Sequence, residues 1–162
     1  MIIGHPQSPF VYYLPTPPLI PDGWHYSQVE AVAALIALNG NHWRKILTIM
    51  AKISLNDGDW RHYRDQTLLK YNEMICIGGT KLIANAKIHI VAGQMAAHRL
   101  GLSLATNDYT NAAQLLSIQN KSITFIKLPT HPAQYCLLAP YLDYRQYPNQ
   151  LIELTRQQIM TL

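Results

Sequence analysis

The fold class this sequence predicts is α/β: a three-layer α/β/α sandwich around a short, mainly parallel sheet, built as a single domain over residues 1–162. Three observations carry that expectation. The stretch Lys87–Leu102 holds a β-branched run (Ile88, Ile90, Val91), a break at Gly93, helical spacing from Gln94 to Leu100 and a closing Gly101. Strand, glycine turn and helix in that order is the unit of a sheet covered by helices. Other strand-like and helix-like segments alternate along the chain, which favours parallel pairing. Apolar residues make up 49% and charged residues 14%, a balance that supports a packed core and excludes disorder.

Taken in order, Met1–Gln7 reads as a short polar lead and Pro9–Leu14 as the first strand. Prolines at 15, 17, 18 and 21 then impose a stiff, extended loop with no backbone donor at those points. Ser27-Gln-Val-Glu30 has the spacing of a capping box, and Val29, Val32, Ala33 and Ile36 form the stripe of the helix it opens. Trp43, Ile46, Leu47, Met50 and Ile53 repeat the period, which predicts a second helix over His42–Ile53. Asp59 is placed to cap a third helix from Trp60 to about Lys70, whose Arg61, His62, Arg64 and Lys70 make a basic stretch around Trp60 and Tyr63.

Met74–Ile77 reads as a short apolar strand ending in Gly78-Gly79-Thr80-Lys81. That tetrapeptide lacks P-loop spacing and reads as a tight turn. In the helix after Gly93, Met95 and Leu100 are expected on the inner side. Ser103–Thr110 is expected as loop, Asn111–Ser117 as a short helix and Ser122–Leu128 as the last clear strand. Tyr135–Pro148 reads as loop with a turn of helix, and Gln150–Met160 as a final helix with Leu151, Ile152, Thr155 and Ile159 inward.

Several function classes are excluded by what the chain lacks. No apolar run approaches the ~18–20 residues of a membrane span, so no membrane partner is expected. The N-terminus has no signal-peptide pattern, which makes a cytoplasmic location the default. Cys76 and Cys136 lack metal-ligand spacing and are expected as buried, reduced thiols. No His pair is backed by a Cys or carboxylate cluster, so no metal and no cofactor is assigned. The formal charge of +4 permits a nucleic-acid partner without requiring one.

Ligands of open α/β sheets sit beyond the carboxyl ends of the strands. Pro15–Pro18, Gly93–Gln94 and Pro129–His131 meet that rule, which makes Thr16, Gln94 and Thr130 candidate ligand contacts. His131 follows a strand directly and is the candidate catalytic residue, able to donate to negative charge developing on a ligand oxygen. Tyr141 and Arg145, in a tyrosine-rich loop nearby, are placed to stack on a base or contact a phosphate.

Three ordered stretches resemble the uracil-DNA glycosylase superfamily. They are Asn39-Gly-Asn-His-Trp-Arg-Lys-Ile-Leu47, Lys87–Leu102 and Leu128-Pro-Thr-His-Pro-Ala133. The resemblance implies an α/β/α fold with DNA bound across the strand ends and His131 facing the carbonyl oxygen of uracil. The family's first motif carries an Asp, Asn or Glu after strand one. Here that place holds Leu14-Pro-Thr-Pro-Pro18, and Asp22 is the nearest carboxylate that could fold back to replace it. The expectation is a DNA-associated protein, a divergent base-excision enzyme or one that has lost catalysis. The alternative is a small-molecule-binding or protein-interaction domain that uses the same cleft.

Overall fold

The computed structural model describes residues 1–102, 113–127 and 134–162. In chain order the elements are β1 (Ile2–Gly4), β2 (Phe10–Leu14), α1 (Ala31–Asn39), α2 (Asn41–Ser54), α3 (Trp60–Gln66), β3 (Glu73–Ile77), β4 (Ile88–Ala92), α4 (Gln94–Arg99), β5 (Ala113–Ile118), β6 (Lys121–Lys127), β7 (Tyr135–Ala139) and α5 (Asn149–Met160). Among the described residues the strands form one seven-stranded sheet in the order β1-β3-β2-β4-β7-β6-β5. The fold is therefore α/β, as expected. The sheet, however, is mixed: β3, β2, β4 and β7 run parallel, while β1, β6 and β5 pair antiparallel at the margins.

Three strands depart from the sequence reading. Ile2–Gly4 is not a polar lead but an edge strand, paired Ile2↔Cys76 and Gly4↔Met74. Ala113–Ile118, read as part of a helix, pairs with β6 from Ala113↔Ile126 to Ile118↔Lys121. The hairpin turn accounts for it. Gln119 and Asn120 have φ of 53° and 62°, the left-handed pair whose twist matches two antiparallel strands. Tyr135–Ala139, read as loop, lies in the sheet between β4 and β6. The expected loop Ser103–Thr110 and the stretch Leu128–Ala133 fall outside the described residues.

The helices follow their periodicity more closely than their caps. Ser27 does not form the capping box; its hydroxyl lies 2.6 Å from His25 Nδ1, α1 starts at Ala31, and Val29 is 67% exposed. Asp59 does cap α3, accepting from Arg61 N–H at 3.0 Å, but the helix stops at Gln66, short of Lys70. In α4 the inward residue is Ala96; Met95 points out at 58% exposure, while Leu100 packs inward as expected. No helix among the described residues is long and apolar enough to cross a membrane.

Alternation along the strands sorts the core into two clusters, one on each sheet face. Tyr12, Leu14, Ile75, Ile88, Ile90 and Leu137 meet Ile46, Leu47, Met50, Ile53, Leu151 and Ile152 of the helices α2 and α5. Val11, Tyr13, Met74, Val91, Ile126 and Cys136 face the other way, toward Ala86, Ala96 and Leu102. Cys76 and Cys136 are free, buried thiols, and burial pushes the Cys136 thiol up to about 12.

At the start of β3, Glu73 is fully buried. Its carboxylate accepts from the Tyr63 hydroxyl and from Leu69 N–H at 3.3 Å, and so holds the α3–β3 connection. Burial outweighs these donors and lifts its pKa from 4.5 to about 7. Because the folded state holds this proton more tightly than the unfolded chain, the group stabilises fully below pH 4.5 and loses that contribution as pH rises through about 7. The loss is on the order of 3 kcal/mol. Glu73→Gln, which stays neutral, should remove this component. Urea unfolding from pH 4.5 to 8 checks it, and equal pH slopes in both proteins would contradict the assignment.

Candidate functional site

A cleft of about 870 Å³ opens beside the carboxyl end of the parallel strands. Its floor is a cross-strand row, Thr124 on β6, Leu138 on β7 and Val91 on β4, aligned by the ladders Thr124↔Leu138 and Val91↔Leu138. One wall is α4, with Gln94, Ala97 and His98; the opposite wall is the β5–β6 turn, with Asn120, Lys121 and Ser122. Tyr141 and Gln146 stand at the rim.

Gly93 sets this geometry. Its φ of 85° and ψ of 167° lie in a region only glycine adopts readily, and this turns the chain directly from β4 into α4. A Cβ there would lie 3.5 Å from the Cβ of Tyr141, in ordinary contact, so it is the backbone conformation that requires glycine. Tyr141 is held from the far side by His42 at the start of α2. The His42 Nε2 lies 2.9 Å from the Tyr141 hydroxyl, with the rings stacked at 5.8 Å. Burial, assisted by the nearby Asp143 charge, pushes the Tyr141 hydroxyl above its ordinary pKa, so it serves as a neutral hydrogen-bonding group.

The sequence-predicted residues divide clearly. Gln94 and Tyr141 both line the cleft. Thr16 lies beyond the end of β2, which is parallel to β4, so it shares the strand-end edge, but it is exposed and is not part of the lining. Arg145 is drawn aside: its backbone N–H (3.0 Å) and Nε (3.4 Å) both donate to Asp143, leaving the side chain 87% exposed. That backbone bond, with Arg145 and Lys45 beside it, holds the Asp143 carboxyl below its usual range. Asp22 is exposed just before Trp24, whose indole donates to Ala31 O on α1, and it does not line the cleft. His131 and Thr130 lie outside the described residues.

Sequence reasoning did not single out His42, His98, Lys121, Ser122 or Thr124 as ligand contacts. For His98 alone there was a signal in the sequence. From Met74 to Leu102 the chain holds Lys81, Lys87 and Arg99 and no Asp or Glu, so the elements leading into and through α4 carry uncompensated positive charge. The described cleft lining likewise contains no carboxylate. Its chemistry is that of amides, hydroxyls, imidazole and one lysine, suited to reading a polar edge or an anion. Among the described residues no group of three His, Cys, Asp or Glu is placed to hold a metal ion.

A family model matches residues 1–160. The chain belongs to the DUF6942 family, a family of unknown function. No curated protein and no solved structure matches it significantly.

The role of Gly93 gives a direct test. Gly93→Ala forces an unfavourable backbone conformation and should cost about 1–3 kcal/mol. Chemical denaturation would measure that cost. A variant as stable as the parent would remove Gly93 from its place as the hinge of the site.

Proposed function

We propose that this DUF6942 protein is a DNA-associated domain that holds DNA across its strand-end cleft without excising bases. The observation that carries the reading is the cleft itself, at the ends of the parallel strands β4 and β7 and flanked by an acid-free, basic segment. Core clusters on both sheet faces support the finer fold expectation, a three-layer α/β/α arrangement like that of the uracil-DNA glycosylase superfamily. Lys121 and His98 line the cleft, and Lys81 and Arg99 extend positive charge past it, an arrangement that attracts a phosphate backbone. The two reduced thiols support an intracellular location.

Loss of excision follows from the missing half of the chemistry. Glycosidic cleavage needs a positioned water or an electrostatic partner for a cationic sugar, besides a donor to the departing base. Pro15, Pro17 and Pro18 supply neither acceptor side chains nor N–H groups, Thr16 has no base beside it, and the described lining has no carboxylate.

A second reading rests on the cleft's apolar floor. Val91 and Leu138 beneath Gln94, Asn120 and Gln146 also suit a small heterocyclic ligand, and the volume falls in the range of small-molecule sites.

Salt dependence separates the two. Binding of short single-stranded DNA should weaken steeply with ionic strength, with a log–log slope of about −0.7 per phosphate contact. Lys121→Gln should flatten that slope. Binding that is absent at low salt, or indifferent to it, favours the small-molecule reading. Uracil-containing oligonucleotides should show no abasic-site formation above background. Product that disappears in His131→Ala would establish a glycosylase instead.

A further inference from the structure

The turn that closes β3 contains Gly78-Gly79-Thr80-Lys81, at the same strand-end edge as the cleft but on the far side of β2 and β4 from β7. The cleft described above does not use it. Gly78 has φ of 65°, and its N–H donates to Leu14 O at 3.1 Å, which anchors the turn to the neighbouring strand. Arg99, from the last turn of α4, reaches across: its Nη1 donates to Pro15 O at 2.9 Å and lies 3.5 Å from where a Cβ on Gly78 would sit. The guanidinium therefore lies against the Gly78 backbone.

We propose that the Gly78–Lys81 turn and Arg99 form a phosphate-binding subsite; the proposal rests on the DNA-associated reading and supplies the backbone contact that reading requires. Four kinds of donor belong to this turn and to the Arg99 side chain beside it. The Thr80 and Lys81 N–H groups have no protein acceptor among the described residues, and neither does the Thr80 hydroxyl. Lys81 Nζ and the remaining Arg99 N–H groups have no carboxylate within 4.0 Å among the described residues. Pro15 O uses one of five guanidinium donors and keeps the group beside the turn, and the remaining planar fork suits the oxygens of a phosphate. Thr80, Lys81 and Arg99 are all exposed, so the ligand need not displace protein. Gly78 has the positive φ that closes the turn, a conformation glycine adopts readily.

The contrast with the basic stretch on α3 sharpens the choice. There Arg64 is paired with Asp65, Arg61 lies over the Trp60 ring, and Lys52 of the adjacent α2 is held by Tyr144 and Asn149 near the same ring, so these cations already have partners within the protein. At the β3 turn the donors are open.

The experiment is an amide NMR titration of the full chain with inorganic phosphate and, separately, with an octathymidylate, repeated for Lys81→Gln, Arg99→Gln and Arg99→Lys. The amide spectrum of each variant confirms that it is folded. Saturable shifts at Thr80, Lys81 and the Arg99 side chain are expected with both probes. Lys81→Gln and Arg99→Gln should each weaken phosphate binding at least fivefold and flatten the octathymidylate salt slope by about 0.7. Arg99→Lys, which keeps charge and loses the fork, should fall between. Phosphate shifts that are unsaturable or scattered over other lysines overturn the subsite. Octathymidylate that shifts Gln94 and Tyr141 but spares residues 78–81 also overturns it, and leaves the DNA reading intact. Phosphate bound at 78–81 with no octathymidylate binding keeps the subsite, assigns it to a free phosphate compound, and overturns the DNA reading.

Discussion

The parallel pairing of β4 with β2 on one side and β7 on the other is the constraint on which everything else depends. A strand with neighbours on both sides and buried side chains on both faces needs cover above and below. Ile88, Ile90 and Ala92 take their cover from the helical side, and Val91 takes it from α4 and the segment before β4. His89 shows how closely the second cover is tied down. Its Nδ1 lies 2.8 Å from the Tyr13 hydroxyl, which also accepts from Ile83 N–H at 2.8 Å. One buried polar cluster thus links β2, β4 and the connection between β3 and β4. With β4 fixed, its carboxyl end can only open at Gly93, and the position of α4, the Tyr141 ring and the cleft follow from that turn.

The sequence disclosed those elements whose local signal agreed with their surroundings. Helix α2 has apolar residues at every expected position, and β4 is β-branched and bounded by a glycine, so both were legible. The misses have a common physical cause, which is that tertiary pairing overrode local preference. Tyr135-Cys-Leu-Leu-Ala139 carries no β-branched residue, yet as a strand between two others it needs only to be apolar. Ala113-Gln-Leu-Leu116 favours a helix by intrinsic propensity and is a strand because β6 folds back on it through Gln119 and Asn120. The Ser27–Glu30 pattern failed for a different reason: His25 competes for the serine hydroxyl and a string of turns precedes the helix.

The site was legible in part. Gln94 could be found because strand-end position follows from a strand, a glycine and a helix in sequence. Tyr141 was reached by its aromatic neighbourhood, and the same reasoning misplaced Arg145, because nothing local shows that Asp143 two residues earlier captures it. Thr124 comes to the cleft, and His42 to the Tyr141 ring at its rim, from distant segments, and only the sheet order and the packing of α2 bring them there. The absence of acidic residues from Met74 to Leu102 is a property of a whole segment, which residue-by-residue motif searching overlooks.

The sheet order has a consequence for the two cysteines. Cys76 is on β3 and Cys136 on β7, with β2 and β4 between them. Three strand spacings separate them by about 14 Å, roughly twice the Cα separation a disulfide tolerates. Oxidation therefore cannot cross-link the native chain to itself. Each thiol is screened from reagents by the strands around it, so its rate of labelling measures how often its own end of the sheet comes apart. The molecule carries two built-in clocks of local opening, one beside the β1 edge and one beneath the β5–β6 hairpin.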